Sequence, residues 1–147
     1  HEPIPLFQAM EKEISAAFES GEPEDVLSSG FRLTITRDDI RTLLPLRWLN
    51  DRIMNFYISL IEERSMQEGY PSVYAFNTFF YPKLNATSQK AVKRWTKDVD
   101  IFKHDIILVP IHLRNHWTLL AVDLRKKTIK YFDSFGQNGD HICKTVL

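Results

Sequence analysis

The sequence lacks most features of a secreted or membrane-spanning protein. Its 147 residues include one cysteine, Cys143, which cannot form an internal disulfide, so the composition favours a reducing compartment over secretion. No apolar run approaches the roughly 20 residues that a membrane span needs. The 19 basic and 19 acidic side chains cancel. Net charge therefore points to neither nucleic acid nor a membrane surface, and we expect neither as a partner.

What the chain does have is the composition of one packed domain. Hydrophobic residues make up 44% of it and aromatic residues 12%, which favours a globular core over disorder. A chain of this length suits a single domain. Helical and strand-like patterns are mixed along the chain, so we predict an α+β fold. Apolar spacing predicts helices over 5–20, 36–44, 51–68, 88–97 and 141–147, a connector over 21–30, and strands over 31–35, 73–81, 106–111, 117–123 and 128–133.

Two of the predicted helices begin with capping signals. Thr36 followed three positions later by Asp39 resembles a capping box with a shorter acid. Asn50 can cap the long helix that starts near Asp51. Trp48 precedes that cap, at a loop–helix junction where sites commonly form.

A histidine and an aspartate stand at matching ends of two strand-like runs. His116 opens the first run and Asp133 closes the second, with a short connection at 124–127. If the runs pair as an antiparallel hairpin, the start of the first lies beside the end of the second. The carboxylate could then fix the tautomer of the imidazole and stabilise its protonated form, as in the base half of a nucleophilic triad. The alternative is an ordinary polar pair at a sheet end.

Three other features of the sequence bear on site chemistry. His112 and His116 could share a zinc ion on a helix, but extended chain would separate them by roughly 13 Å, so we expect no metal site. Cys143 has the apolar Val146 and Leu147 one helical turn on, which predicts core packing rather than a nucleophile. The basic stretch at 90–97 could contact an acidic surface or could be a solvated helix face.

Taken together, these motifs resemble the catalytic domain of the SUMO-specific (sentrin-specific) cysteine proteases, in the ubiquitin-like-protease group of papain-like peptidases. The resemblance covers nearly the whole chain. It implies a papain-like α+β fold, with helices around a small, mainly antiparallel sheet. It also implies that 1–147 is the N-terminal two thirds of one catalytic domain, with 1–30 as N-terminal helix and connector and 31–147 as core. The matching segments are 31–36, 48–51, 55–57, 76–80, 91–97, 107–112, 116–117 and 133–134.

The resemblance also implies roles for individual residues. His116 would be the general base and Asp133 its orienting carboxylate. Trp48 and Trp117 would form a tunnel over the Gly-Gly tail of SUMO. The remaining candidates for substrate binding are Asp51, Phe79, Arg94 and Lys97, which would contact the SUMO globule, and His112 near the scissile bond.

In the family, the nucleophile lies in a later segment of the type Gln-x-x-x-Ser-Asp-Cys-Gly, whose glutamine helps form the oxyanion hole. Cys143 matches an earlier helix position. The resemblance therefore implies a peptidase that cuts after the SUMO Gly-Gly tail, in precursor processing and in deconjugation from target lysines, with this chain alone inactive. The alternatives are an inactive SUMO-binding fragment or isoform and a fragment that cannot fold alone. We expect no cofactor, SUMO and SUMO conjugates as partners, a monomer, and a nuclear location, including the nuclear envelope or pore, with some cytoplasmic protein.

Overall fold

A computed structural model describes residues 5–87 and 89–147. The chain divides into two compact units, His1–Phe56 and Tyr57–Leu147, which we call the N-terminal and C-terminal units. The division falls within the long helix α3, which spans Asp51–Ser65. In the part of the chain that the structure describes, no helix is both long enough and apolar enough to cross a bilayer.

The N-terminal unit contains helix α1 (Pro5–Phe18), the strands β1 (Val26–Gly30) and β2 (Leu33–Thr36), and the short helix α2 (Arg37–Arg41). The two strands pair antiparallel. Their connection is the dipeptide Phe31-Arg32, in which both residues have positive φ, 53° and 60°, as a type I′ hairpin turn requires. The predicted connector over 21–30 was therefore wrong for its second half, and the strand begins at Leu33 rather than at Phe31. The sequence pattern did not predict β1, because Ser28 and Ser29 interrupt any alternation of apolar and polar residues.

The predicted caps are both present in this unit. The Thr36 side chain accepts a hydrogen bond from the Asp39 backbone N–H, and the Asp39 carboxylate accepts one from the Thr36 backbone N–H at 2.8 Å, which completes a capping box. The Asn50 side chain accepts from the backbone N–H of Ile53 at 3.1 Å and so caps α3. The helix after the box is shorter than predicted and ends at Arg41 rather than near Leu44. Likewise α3 ends at Ser65 rather than at Glu68.

A four-stranded sheet forms the centre of the C-terminal unit, in the order β3-β4-β5-β6. β3 runs parallel to β4, whereas β4, β5 and β6 are successively antiparallel. The elements of this unit that follow α3 are β3 (Val73–Ala75), α4 (Phe80–Ala86), α5 (Gln89–Val92), 3₁₀ turns at Lys93–Thr96 and Ile101–Lys103, β4 (Ile106–Leu113), β5 (His116–Asp123), β6 (Thr128–Phe132) and α6 (Asp140–Val146).

Two predicted elements of this unit differ from the structure. The strand expected over 73–81 ends at Ala75, and a helix starts at Phe80. Pro82 falls in the first turn of that helix, where its missing N–H leaves no hydrogen bond unmade. The basic helix expected over 88–97 is one α-helical turn, Gln89–Val92, followed by a 3₁₀ turn. Ser88 lies outside the described residues.

The core of the C-terminal unit lies between the sheet and its helices. Val109 and Ile111 on β4 and Leu120 on β5 have no exposed surface. On the helices, Phe80 stacks on Phe76 with ring centroids 3.8 Å apart. This packing fixes the sheet whose outer hairpin carries the candidate site. The buried residues of the cluster are Phe76, Phe80, Tyr81, Leu84, Val92, Ile107, Val109, Ile111, Leu120 and Ile142.

Candidate active site

The hairpin formed by β5 and β6 brings the predicted histidine and aspartate together. Leu119 pairs with Phe132, and Asp123 pairs with Thr128 at the closed end. At the open end, His116 is the first residue of β5 and Asp133 directly follows β6. The predicted contact between the two side chains is confirmed.

The contact is a short, shielded hydrogen bond. His116 Nε2 lies 2.6 Å from Asp133 Oδ1, and the exposed fractions of the two side chains are 15% and 2%. An ionised carboxylate only accepts hydrogen bonds, so the proton of this contact is on Nε2. In the neutral imidazole, the lone pair is then on Nδ1, the nitrogen that can accept a proton. The contact therefore defines the tautomer of the imidazole and leaves Nδ1 as the nitrogen able to accept a proton.

A tight turn after β6 holds the carboxylate in place. The backbone N–H of Phe135 donates to Asp133 Oδ1 at 2.8 Å, as in an Asx-turn. The hydrogen bond from His116, opposed by burial and reinforced by the Phe135 amide, keeps the pKa of Asp133 below its usual value. The carboxylate is therefore charged at neutral pH. Its second oxygen, Oδ2, is buried and has no hydrogen-bond partner among the described residues.

An aromatic side chain that sequence reasoning missed covers one face of the imidazole. The ring of Phe135 is stacked on His116, with centroids 4.1 Å apart and planes 14° from parallel. The only sequence signal for it is an aromatic residue two positions after an aspartate that can form an Asx-turn. That signal becomes informative only once Asp133 is known to bind His116.

His112 on β4 and Trp117 on β5 form a second stacked pair, across the hairpin that these two strands make. They are register partners across β4 and β5, and their rings lie 4.2 Å apart with an interplanar angle of 12°. The turn between the strands is Arg114-Asn115. His112 and His116 thus flank a tight turn, and the expectation that extended chain separates them was wrong. Among the described residues, no group of three or more His, Cys, Asp and Glu side chains could hold a metal ion.

The remaining predicted substrate-binding residues are distributed over both units. Trp48, with 57% of its surface exposed, and Asp51 belong to the N-terminal unit. Phe79, Arg94 and Lys97 belong to the C-terminal unit and are all exposed. The tunnel that Trp48 would form with Trp117, and the contacts of the other residues with a partner, stay predictions.

Cys143 packs in the core, as its apolar helical neighbours predicted. It lies on α6, is partly buried, and packs against the hydrophobic cluster of the C-terminal unit. Its surroundings are those of a small apolar side chain in a core.

Comparison with known proteins agrees with the geometry. Residues 47–147 match the model of the "Ulp1 protease family, C-terminal catalytic domain". The chain is 55% identical to mouse sentrin-specific protease 2 over 138 residues, which are 94% of this chain but 24% of that protein. It is 44% identical to a Caenorhabditis elegans sentrin-specific protease over 122 residues, 82% of this chain and 18% of that protein. The chain thus spans about a quarter or less of the length of these curated relatives.

A solved structure shares the fold. The SUMO protease Ulp1, with its catalytic cysteine oxidised to a sulfenic acid, superposes with a TM-score of 0.77 at 34% identity, covering 99% of this chain and 65% of that one. The predicted α+β fold class is confirmed by this match. With the family match over 47–147 and the His116–Asp133 pair in the matched region, the chain belongs to the Ulp1 protease family, a family of cysteine peptidases.

Proposed function

We propose that this chain supplies the base half of a SUMO-specific cysteine peptidase that cuts after the Gly-Gly tail of SUMO, in precursor processing and in deconjugation from target lysines. The observation that carries the proposal is the His116–Asp133 contact of 2.6 Å within the part of the chain that matches the family. The proposal takes 1–147 as the N-terminal two thirds of one catalytic domain. Its nucleophile is a cysteine in a later Asp-Cys-Gly segment, so we expect the 147-residue chain alone to be inactive.

His116 would act through Nδ1, the ring nitrogen that does not bind Asp133. Nδ1 takes the proton from the cysteine thiol, and the thiolate attacks the carbonyl carbon of the last glycine of the Gly-Gly tail. The tetrahedral oxyanion collapses, the C–N bond breaks, and the imidazolium returns its proton to the leaving amine. Water then hydrolyses the thioester, with His116 again accepting and returning a proton. Throughout, Asp133 accepts the Nε2–H and stabilises the positive charge on the ring.

Substrate recognition belongs to the same proposal. Trp48 and Trp117 would enclose the glycine tail, because only residues without side chains fit between two indole rings. His112, stacked on Trp117, would lie beside the scissile bond. The exposed basic residues Arg94 and Lys97 would contact the SUMO globule together with Asp51 and Phe79. SUMO conjugates would be the partners and the nucleus, with its envelope or pores, the main location.

A fluorogenic SUMO-tail substrate tests the proposed reaction. Two proteins are compared: the 147-residue chain, and a chimera in which the segment that follows the matched region in mouse sentrin-specific protease 2 is joined to Leu147. We expect fluorophore release by the chimera only. His116→Ala in the chimera should reduce kcat at least about 10³-fold, because the thiol loses its base.

Cys143→Ala is the matched control, since Cys143 packs in the core cluster. It should leave turnover by the chimera within about 2-fold. Turnover by the 147-residue chain that disappears with Cys143→Ala would refute the assignment of the nucleophile to a later segment. Turnover by the chimera that His116→Ala does not slow would refute the role of His116.

The second candidate function is SUMO binding without cleavage. Cys143 packs against the core cluster and is not placed to act as a nucleophile. This placement favours binding without cleavage for the 147-residue chain alone. Titration of the 147-residue chain with intact SUMO tests it, with Trp48→Ala as the variant expected to weaken binding. Failure to bind at high micromolar SUMO would exclude this function.

A further inference from the structure

The imidazole of His116 is held by two side chains, and only one of them is a carboxylate. Asp133 binds the ring at Nε2 in the hydrogen-bond direction, and the Phe135 ring lies against one face at 4.1 Å. We propose that Phe135 is a positioning residue, which fixes the plane of the His116 ring and stabilises its protonated form. This inference rests on the proposed function for its kinetic consequence, and on the two contacts for its structural part.

The two contacts constrain different motions of the imidazole. A hydrogen bond to one ring nitrogen fixes one point, and the ring can still tilt about that point. A nearly parallel aromatic face, 14° from the imidazole plane, removes the tilt in one direction. Together they aim Nδ1, the nitrogen that would accept the thiol proton.

The aromatic face also favours the charged ring. The face of a phenyl ring carries negative partial charge and attracts a cation whose centre lies within about 6 Å of its centroid. When His116 accepts a proton, the imidazolium lies between this face and the Asp133 carboxylate. Both neighbours thus stabilise the imidazolium that forms when His116 accepts the thiol proton.

The turn that places the carboxylate also places the aromatic ring. The Phe135 backbone N–H donates to Asp133 Oδ1 at 2.8 Å, and the Gly136 N–H donates to the Asp133 carbonyl at 3.0 Å. Gly136 has a positive φ of 71°, which an L side chain adopts only with strain. The backbone therefore fixes where residue 135 projects, and its side chain supplies the ring.

A role in the hydrophobic core does not explain the phenylalanine at position 135. Its exposed fraction is 66%, so the side chain contributes little to the core. A substitution there can consequently change the position of His116 without unfolding the protein. Phe135→Leu keeps the backbone donor to Asp133 and removes the aromatic face, whereas Phe135→Tyr keeps both.

NMR of the imidazole in the 147-residue chain tests the structural part. We expect the ring protons of His116 to show an upfield ring-current shift in the unchanged chain and in Phe135→Tyr, and to lose it in Phe135→Leu. Phe132→Leu is the matched control, because Phe132 is a similarly exposed phenylalanine, at 52%, three residues earlier on β6. It should leave the His116 signals in place. Identical His116 signals in Phe135→Leu and the unchanged chain would overturn the proposal.

Kinetics in the chimera test the consequence. The free energy of one aromatic contact predicts that Phe135→Leu lowers kcat roughly 2- to 10-fold with KM unchanged. Phe135→Tyr, which keeps an aromatic ring, should have the kcat of the unchanged chimera. An unchanged kcat in Phe135→Leu, or an equal loss in Phe135→Tyr, would overturn the positioning role. If no variant of the chimera turns over substrate, the proposed function fails, and the NMR comparison still decides whether the Phe135 ring is stacked on His116 in the 147-residue chain.

Discussion

The Asn50 side chain bonds to the first turns of two helices in the N-terminal unit, so its removal should lower the free energy of unfolding. Its Oδ1 accepts from the Ile53 backbone N–H at 3.1 Å, and its Nδ2 donates to Asp39 Oδ1 at 2.8 Å. Asp39 is a buried carboxylate, 7% exposed, whose other donors are the backbone N–H and hydroxyl of Thr36. Asn50→Ala therefore removes the cap of α3 and one of three donors to a buried charge.

The two losses have separate magnitudes. Loss of a side-chain cap costs about 1 kcal/mol. A hydrogen bond to a charged group contributes about 1.5–3 kcal/mol. We expect Asn50→Ala to lower the free energy of unfolding by about 2.5–4 kcal/mol. Asn50→Ser can still cap but cannot reach Asp39 as a donor, so it should cost about 1 kcal/mol less than Asn50→Ala.

Urea unfolding followed by far-ultraviolet circular dichroism measures these free energies, and hydrogen exchange of the Ile53 amide reports the cap locally. Asn85→Ala, at an exposed helical position of α4, is the control and should fall within about 0.5 kcal/mol of the unchanged chain. The reasoning is refuted if Asn50→Ala is no less stable than Asn85→Ala. It is also refuted if Asn50→Ser and Asn50→Ala exchange the Ile53 amide at the same rate.

The acid sensitivity of Asn50→Ala should change as well. Burial raises the pKa of Asp39, but hydrogen bonds from Thr36 and Asn50 and the charge of Arg52 outweigh it and lower the pKa below 3.8. A lowered folded-state pKa contributes stability that is present above the unfolded value and is lost as the pH falls through the folded value. Removing Asn50 reduces that contribution, so the stability difference between the two proteins should shrink below about pH 3.8.

Three further outcomes follow from single contacts. Asp133→Asn in the chimera should lower kcat by about 10³- to 10⁴-fold with little change in KM, because an amide no longer requires the proton to be on Nε2 of His116. Initial-rate kinetics with the fluorogenic substrate measure both constants, and an effect on KM alone would contradict this prediction. Burial raises the pKa of Glu62 above 4.5, although the Ala75 amide donates to it, so its stability contribution is lost as the pH rises through the raised value. Glu62→Gln should remove the fall in the urea midpoint that sets in as the pH rises above about 4.5, and an unchanged pH slope would count against this cause. Leu120→Ala, at a side chain with no exposed surface, should lower the free energy of unfolding by about 2–5 kcal/mol, and a loss below about 1 kcal/mol would show that the cavity collapses.

The central pair of the site was predictable because strand geometry leaves little choice. A short connection at 124–127 between two strand-like runs forces an antiparallel hairpin, and the hairpin brings residues 116 and 133 to the same open end, where their side chains meet. Thr36 and Asn50 were predictable for a similar reason, since a cap is local chemistry over three positions. These predictions needed only information within one element or one turn.

Other parts depend on contacts that no local pattern contains. The aromatic run after Ala75 has strand propensity, yet Phe80 lies in a helix because it stacks on Phe76 in the core. The turn after Leu113 is Arg114-Asn115, in which Arg114 has a φ of 55° and no glycine is present. Asn115 alone is a weak signal for a two-residue hairpin turn. Phe135 reaches His116 only because the loop after β6 bends back, and that bend depends on the hydrogen bond to Asp133.

The placement of the base and its carboxylate on one hairpin has a consequence for folding. His116 and Asp133 are 17 positions apart, so their meeting requires closure of one short loop rather than a long-range encounter. Hairpins form within about 1–10 μs, far faster than pairings between distant segments. Orientation of the imidazole is thus an early and local event, set within 116–135. Destabilising substitutions elsewhere should lower the amount of folded protein and leave the orientation of His116 in the folded molecules unchanged.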